Sequence, residues 1–244
     1  MRLSYSKIKT CLECPYKFKL AYIEKVPQKP KPYFKLANII HYVLHKYHFY
    51  ERKASLDDLL LCYERAWGLK KGIFYEEGKK ILTSYYQNMR DQIPYTSEKR
   101  FTVRVEDNIL AGKFDRIDKT KDGFKIIDYK LSKIILTPRE VKESLQLSLY
   151  ALAFFYLTGI VPLKVGFYFL RYGKMLFTKK TEKDLERTKN LIDDVAQKII
   201  REEFYRKEGR SCSWCDYKES CLLEENEPTR KIIKEKPRQL LLPL

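Results

Sequence analysis

The sequence predicts an α/β fold in which a mixed β-sheet is flanked by helices. Three observations carry that expectation. Apolar residues recur at helical spacing before about residue 92. Alternation takes over between Phe101 and Leu131, and helix and strand patterns then succeed one another to about Tyr205. Helices and strands interleaved in this way pack as a sheet covered by helices. The chain has 244 residues, 44% of them hydrophobic, enough for one buried domain with additions and too apolar for a disordered chain.

Ser4 is placed to cap a short first helix, and Cys14-Pro15 breaks the chain before a second, Lys17 to Ile23. Val26 to Pro32 reads as a Pro/Lys linker. Phe34 to Tyr50 reads as a helix, because Leu36, Ile39, Ile40, Val43, Leu44 and Tyr47 recur near helical spacing. Two further helices are predicted, Ser55 to Leu69 and Phe74 to Arg90. Phe101–Val105, Ile109–Ile117 and Phe124–Leu131 read as a three-strand meander, the last two joined at Asp122-Gly123. Pro138 opens a helix predicted to run to about Thr158. A hairpin around Tyr172-Gly173 and a helix from Thr181 to Tyr205 complete the core.

Charge is lopsided: 49 Lys and Arg oppose 32 Asp and Glu, a net +17. Lysine enrichment unmatched by glutamate favours a polyanionic partner over a merely solubilising surface, since cations that meet phosphates release counterions. Met1 to Lys7 has no apolar segment of the secretory type. The uncharged stretch from Leu145 to Leu163 is interrupted by Gln146, Ser148, Gly159 and Pro162, so it reads as a buried helix entering a strand, not a membrane span. The expectation is a cytoplasmic protein, where clustered cysteines bind metal more often than they form disulfides.

The centre of the chain carries candidate chemistry. Side chains two apart on a strand share a face, so Asp128 and Lys130 project together. With a turn near Lys121 to Gly123, Asp115 on the preceding strand comes opposite Ile127 and Asp128. Two carboxylates and an ammonium then converge, and hard oxygen ligands suit Mg²⁺ or Mn²⁺. The alternative is a set of ordinary salt-bridged strand residues. Against it, the pair ends an apolar strand, Ile126-Ile127-Asp128-Tyr129-Lys130, where burying carboxylates without purpose is costly.

These residues resemble the RecB-like branch of the PD-(D/E)XK nuclease superfamily, which includes AddB-type and CRISPR-associated iron–sulfur nucleases. Gly112-Lys113-Phe114-Asp115-Arg116-Ile117-Asp118 is similar to its Gly-x-x-Asp-x-(Ile/Val)-Asp strand, and Asp128-Tyr129-Lys130 to its Asp-Tyr-Lys. Gln146 to Tyr150 is similar to its Gln-x-x-x-Tyr helix. Leu36 to His41 resembles its Leu-Gly-x-x-x-His helix, with Ala37 where that branch has Gly. The resemblance implies that His41, Asp115, Asp128 and the Tyr129 carbonyl hold Mg²⁺ or Mn²⁺, that Lys130 is the catalytic lysine, and that Gln146 and Tyr150 support the site or the DNA. His41, His45 and His48 also share one helical stretch, which leaves a separate zinc site open.

Cys212-x-x-Cys215-x5-Cys221 has ligand spacing, which by itself favours zinc. No Cys or His follows Cys221, so a fourth ligand must come from afar. Cys14 and Cys11 both qualify. Cys14, followed by Pro15 and Tyr16, resembles the N-terminal Cys-Pro element of the iron–sulfur RecB-like nucleases. The resemblance then implies a 4Fe–4S cluster on Cys14, Cys212, Cys215 and Cys221 that joins the two ends of the fold. Cys62 reads as a buried helix residue.

Residues 1–35 carry Arg2 and eight lysines against Glu13 and Glu24, interleaved with Tyr5, Tyr16, Phe18, Tyr22, Tyr33 and Phe34. That pattern suits either a groove for single-stranded nucleic acid or a solvated helix with a buried aromatic stripe. At the far end, Gln239-Leu240-Leu241-Leu242-Pro243-Leu244 is similar to peptides that dock in the bacterial sliding clamp, with Gln239, Leu240, Leu242 and Leu244 as anchors. Alternatively the tail packs on the core.

The chain therefore reads as a nuclease domain, 1–227, and a basic flexible tail, 228–244. The domain comprises a helical insertion at about 34–92, a core at about 100–205, and the cluster cysteines at 14 and 212–221. The resemblance implies a Mg/Mn-dependent deoxyribonuclease, expected to be an exonuclease on single strands or DNA ends in repair or recombination. A CRISPR-adaptation nuclease and a non-catalytic DNA-binding or clamp-associated scaffold are the alternatives. No Gly-x-x-x-x-Gly-Lys-Ser/Thr loop is visible, so any unwinding falls to a helicase partner.

Overall fold

A computed structural model of the chain describes residues 1–28, 31–49 and 55–226. Its centre is a six-stranded mixed sheet. Strand β1 (Arg2–Leu3) leads into α1 (Tyr5–Glu13), which Ser4 caps, and then α2 (Pro15–Phe18), which continues as a π-helical turn to Ile23. Three helices follow: α3 (Pro32–Phe49), α4 (Leu56–Trp67) and α5 (Tyr75–Met89). Ser55 and Asp58 form a capping box at α4, so the backbone donors at its start are satisfied locally.

The strands β2 (Thr96–Val105), β3 (Asn108–Thr120) and β4 (Gly123–Lys130) form the expected antiparallel meander. Gly123, at φ 134°, takes a backbone conformation at the β3–β4 turn that other residues avoid. Next come α6 (Pro138–Glu143), α7 (Leu145–Thr158), β5 (Lys164–Phe169), β6 (Lys174–Thr178) and α8 (Glu182–Ile200). β5 lies parallel to β4 and makes the sheet mixed, while β6 returns antiparallel. A 3₁₀ turn (Arg210–Trp214) and α9 (Lys218–Asn226) end the described chain.

Each face of the sheet has its own core. Ile126, Val165, Phe167 and Phe169 pack with residues of α1, α7 and α8. Ile127, Tyr129, Tyr168 and Leu170 point the other way, into α3, α4 and α5. The period-2 alternation of β4 and β5 thus sorts their residues between two layers, and Asp128 falls on the face of α7.

The helix expected from Pro138 to Thr158 is two. Ser144 leaves the helical region (φ −61°, ψ 119°) and its side chain accepts the N–H of Leu147, capping α7 afresh. The last long helix stops at Ile200, five residues short of the expected Tyr205, and Glu202 lies at φ 56°. β1 is too short to read from sequence. It exists because β3 offers a free edge, and it pairs in parallel with Ile109 and Leu110.

Candidate active site

The site forms where two strands fail to meet. β2 occupies one edge of β3 along most of its length. On the other edge, β1 pairs only with Ile109 and Leu110, and β4 begins to pair at Arg116. The stretch from Ala111 to Asp115 is left between them. A cleft of about 500 Å³ opens there, lined by Tyr5, Phe34, His41, Asp115, Asp128 and Lys130, among others.

Asp115 is buried, and the register sets it one step beyond the last β3–β4 pair, facing Asp128. Its Oδ2 accepts the backbone N–H of Tyr129 at 2.9 Å, which fixes the carboxylate against β4. On the other side of β3 the ladder runs Ser97–Arg116 and then Lys99–Phe114. Glu98, which would face Asp115, is left out of it. Its φ is 52°, a strained value for a residue with a side chain. Glu98 reaches two residues of the cleft wall: Oε1 lies 3.1 Å from Nδ1 of His41, and Oε2 pairs with Lys113. His41 Nδ1 is also 3.5 Å from Asp115 Oδ1. Burial opposes the charged imidazolium, but Asp115 and Glu98 outweigh it and raise His41 to about 10.

Ligand atoms of His41, Glu98 and Asp115 all lie within 4.8 Å of one another. Two carboxylates and an imidazole at that separation suit a hard divalent cation. The sequence reading named His41 and Asp115 but not Glu98. Its one legible signal was an acidic residue just before an alternating strand, which resembles any edge charge.

Asp128 stands apart from that tight group and belongs to a second cluster. Its Oδ1 accepts hydrogen bonds from Gln146 Nε2 at 2.5 Å and Tyr150 O–H at 3.2 Å. Its Oδ2 forms an ion pair with Lys130 Nζ at 2.7 Å. A buried carboxylate at a cleft is a fitting ligand for a hard cation. Lys130 Nζ donates to Gln146 Oε1 at 2.6 Å. Gln146 and Tyr150, four apart on α7, therefore hold Asp128 and Lys130 in place, Gln146 by touching both. Burial raises the Asp128 carboxyl, with Lys130 working in the opposite direction and Asp115 adding to the rise. Tyr5, which the sequence reading left among the aromatics, lines the cleft within the field of both Asp128 and Lys130.

Behind the strand, Arg116 is fully buried. It donates to Tyr85 Oη, Gln92 O and Asp118 Oδ1 at 2.7–2.9 Å. Tyr85 also meets the hydroxyl of Tyr129 and Nε2 of His48, each at 2.7 Å. Arg116 thus braces α5 and the strand that carries Asp115. Of the three histidines, only His41 joins the metal-like group. His45 meets Ser97 and His48 meets Tyr85, so the separate histidine zinc site is not formed among the described residues.

The cysteines gather at the other end of α1. Cys14, Cys212, Cys215 and Cys221 line one cavity of about 310 Å³, together with Lys17 and Arg206. Cys11 is buried in the main core instead, so it is Cys14 that faces the C-terminal trio. A small third core of Tyr16, Leu20 and Tyr217 seals this junction. Gln28 Nε2 donates to Tyr217 Oη, Lys31 pairs with Asp216, and Arg206 donates to the Cys221 carbonyl. Among the described residues no three of the sulfurs lie within 4.8 Å of one another. All four border the same cavity. Cys62 is half-buried on α4.

The N-terminal aromatics divide. Tyr16 and Phe18 are core residues, Tyr5 and Tyr22 pack against the core, and only Tyr33 and Phe34 stand exposed. The buried-stripe alternative holds for most of them. The tail anchors Gln239, Leu240, Leu242 and Leu244 lie outside the described residues. Among the described residues no helix is long and apolar enough to cross a membrane.

Comparison with curated proteins gave no match. Among solved structures, a protein from Eubacterium rectale titled "Putative exonuclease" superposes with a TM-score of 0.54 at 14% identity, over 95% of this chain and 90% of that one. At that identity the likeness shows the fold. The family model of the PD-(D/E)XK nuclease superfamily matches residues 2–222, from β1 to α9. The chain belongs to the PD-(D/E)XK nuclease superfamily.

Proposed function

We propose that the chain is a Mg²⁺- or Mn²⁺-dependent deoxyribonuclease, acting as an exonuclease on single strands or DNA ends in repair or recombination. The observation that carries this reading is the pair of clusters at one cleft: His41 and Asp115, which Glu98 joins through His41, and Asp128, Lys130 and Gln146. His41, Asp115 and Asp128 would hold the cation, with Glu98 added to the set and the Tyr129 carbonyl available. The cation, when bound, supplies positive charge that polarises the scissile phosphate and acidifies water. Asp115 keeps the Tyr129 backbone fixed while it offers its second oxygen to the cleft. Gln146 accepts from Lys130, so it holds the ammonium where it can orient an attacking water or meet charge that develops on the phosphate. The net charge of +17 favours the DNA substrate.

The test follows end-labelled single- and double-stranded DNA with Mn²⁺ or Mg²⁺, for wild type and Asp128→Ala. Metal-dependent cleavage that vanishes in the variant is expected, with a product ladder shortening from one end. Tight binding without cleavage by the wild type would establish the scaffold alternative in its place.

We further propose that Cys14, Cys212, Cys215 and Cys221 hold a 4Fe–4S cluster with a structural role. A single zinc ion needs its four sulfurs at about 3.8 Å from one another, given 2.3 Å bonds at tetrahedral angles. A ring of thiols around 310 Å³ suits a larger inorganic core. Iron and acid-labile sulfide in anaerobically purified protein should fall with Cys14→Ser and persist with Cys11→Ser. Zinc without iron in the wild type would sink the assignment.

A further inference from the structure

One exposed stripe on α3 is not used by the site just described. Phe34, Asn38 and Tyr42 follow one another at four-residue steps, so they form a ridge that winds slowly round the helix. Phe34 is 50% exposed and Tyr42 48%. Tyr33 leans on Phe34, with ring centroids 4.5 Å apart at 40°. One cation flanks the ridge: the ammonium of Lys46 lies 5.7 Å from the Tyr42 ring. The ridge is continuous with the cleft, because Phe34 lines it and sits seven residues before His41, close to the same angular position and about 10 Å along the axis.

Exposed aromatic rings are costly to leave in water, and here Phe34 lines a cleft suited to phosphodiesters on a chain of net charge +17. A protein partner would be drawn to apolar area alone. A ridge of two π-faces about 12 Å apart, with Lys46 alongside, matches a chain of stacked bases and phosphates. We propose that Phe34, supported by Tyr33, and Tyr42 are stacking platforms for the bases of a single-stranded DNA that runs along α3 into the cleft. This deepens, and rests on, the nuclease reading of that cleft. It makes the α3 ridge the feature that selects single strands over duplex, since bases in a duplex present no free face.

The experiment uses the full-length protein, prepared anaerobically, in metal-free buffer. Fluorescence anisotropy measures affinity for labelled oligothymidine, for an abasic strand of equal length, and for duplex. The proteins are wild type, Phe34→Ala, Tyr42→Ala, the double variant, and the ring-preserving Phe34→Tyr and Tyr42→Phe. Each alanine should weaken oligothymidine binding by about 5- to 150-fold, from the usual range for one stacked base. Ring-preserving variants should bind as wild type, and affinity for the abasic strand and duplex should not change. Unchanged oligothymidine binding, or an equal loss on the abasic strand or the duplex, overturns the platform. Cleavage measured in parallel separates the two ideas. Aromatic-dependent binding by a protein that cuts nothing overturns the nuclease reading alone. Metal-dependent cleavage with aromatic-independent binding overturns the ridge alone.

Discussion

Removing the ammonium of Lys130 should cost stability as well as activity, and the two losses should separate in a double variant. The Asp128 carboxylate is 3% exposed, whereas the Lys130 side chain retains 28% of its surface, 2.7 Å away. At an effective dielectric of about 20 the attraction at that distance is roughly 6 kcal/mol, set against desolvation already incurred by Asp128. Breaking a buried pair from one side typically costs 3–5 kcal/mol, and the partial exposure of Lys130 lowers the expectation for Lys130→Met to about 2–4 kcal/mol. Asp128→Asn should cost less, because the ammonium left behind can reach water. The double variant Asp128→Asn/Lys130→Met should lie within about 1 kcal/mol of wild type, a coupling of at least about 1 kcal/mol. All three should be inactive. Urea denaturation at pH 7 reads the stabilities. The Lys130→Met penalty should shrink toward pH 4, because loss of Lys130 lifts Asp128 further above its unfolded value and a group so raised loses stability as pH rises. Penalties that add within about 0.5 kcal/mol, or that do not change with pH, would refute the electrostatic account of the pair.

Three further outcomes are expected. Burial, with Arg116 nearby, lowers His48 from 6.5 to about 3, so the unfolded chain binds a proton that the native state refuses between those values. Stability should therefore fall by about 1.4 kcal/mol per pH unit below 6.5 from this group, and His48→Gln should flatten that slope relative to wild type in matched urea titrations. Gly166→Ala should destabilise by about 1–3 kcal/mol or more, because a Cβ there would meet the Leu176 carbonyl at 2.4 Å and force β6 off β5; a thermal melt unchanged from wild type would contradict the packing. Glu98→Gln should weaken Mn²⁺ binding, measured by calorimetry, by at least about tenfold with little change in fold; equal affinity would remove Glu98 from the ligand set.

Much of this molecule was written locally. Ser4, Ser55 and Thr181 cap helices where the sequence places them, because a cap needs only the next three residues. The meander, and the side-by-side placement of Asp115 and Asp128, follow from period-2 alternation and a two-residue turn. Spacing four apart was enough to put Gln146 and Tyr150 on one helical face, and both reach Asp128.

Other features depended on surfaces that meet only after folding. Glu98 joins His41 and Asp115 because the β2–β3 ladder distorts at one residue, and no local pattern announces a positive φ there. Tyr16 and Phe18 are hidden while Phe34 is exposed, a division set by which helix faces lie against the sheet and not by the residues' own chemistry. By spacing Cys11 and Cys14 both qualify as the fourth ligand, and only the resemblance of Cys14-Pro15-Tyr16 favours the second. Packing buries the first in the core and turns the second toward three cysteines some two hundred residues away. The sequence by itself determined the elements, their order and most of the site's residue types, since these rest on interactions within a turn or a strand pair. Only the tertiary structure decided which of those residues share a cleft, because that choice depends on contacts between distant segments whose geometry is set by burying two cores at once.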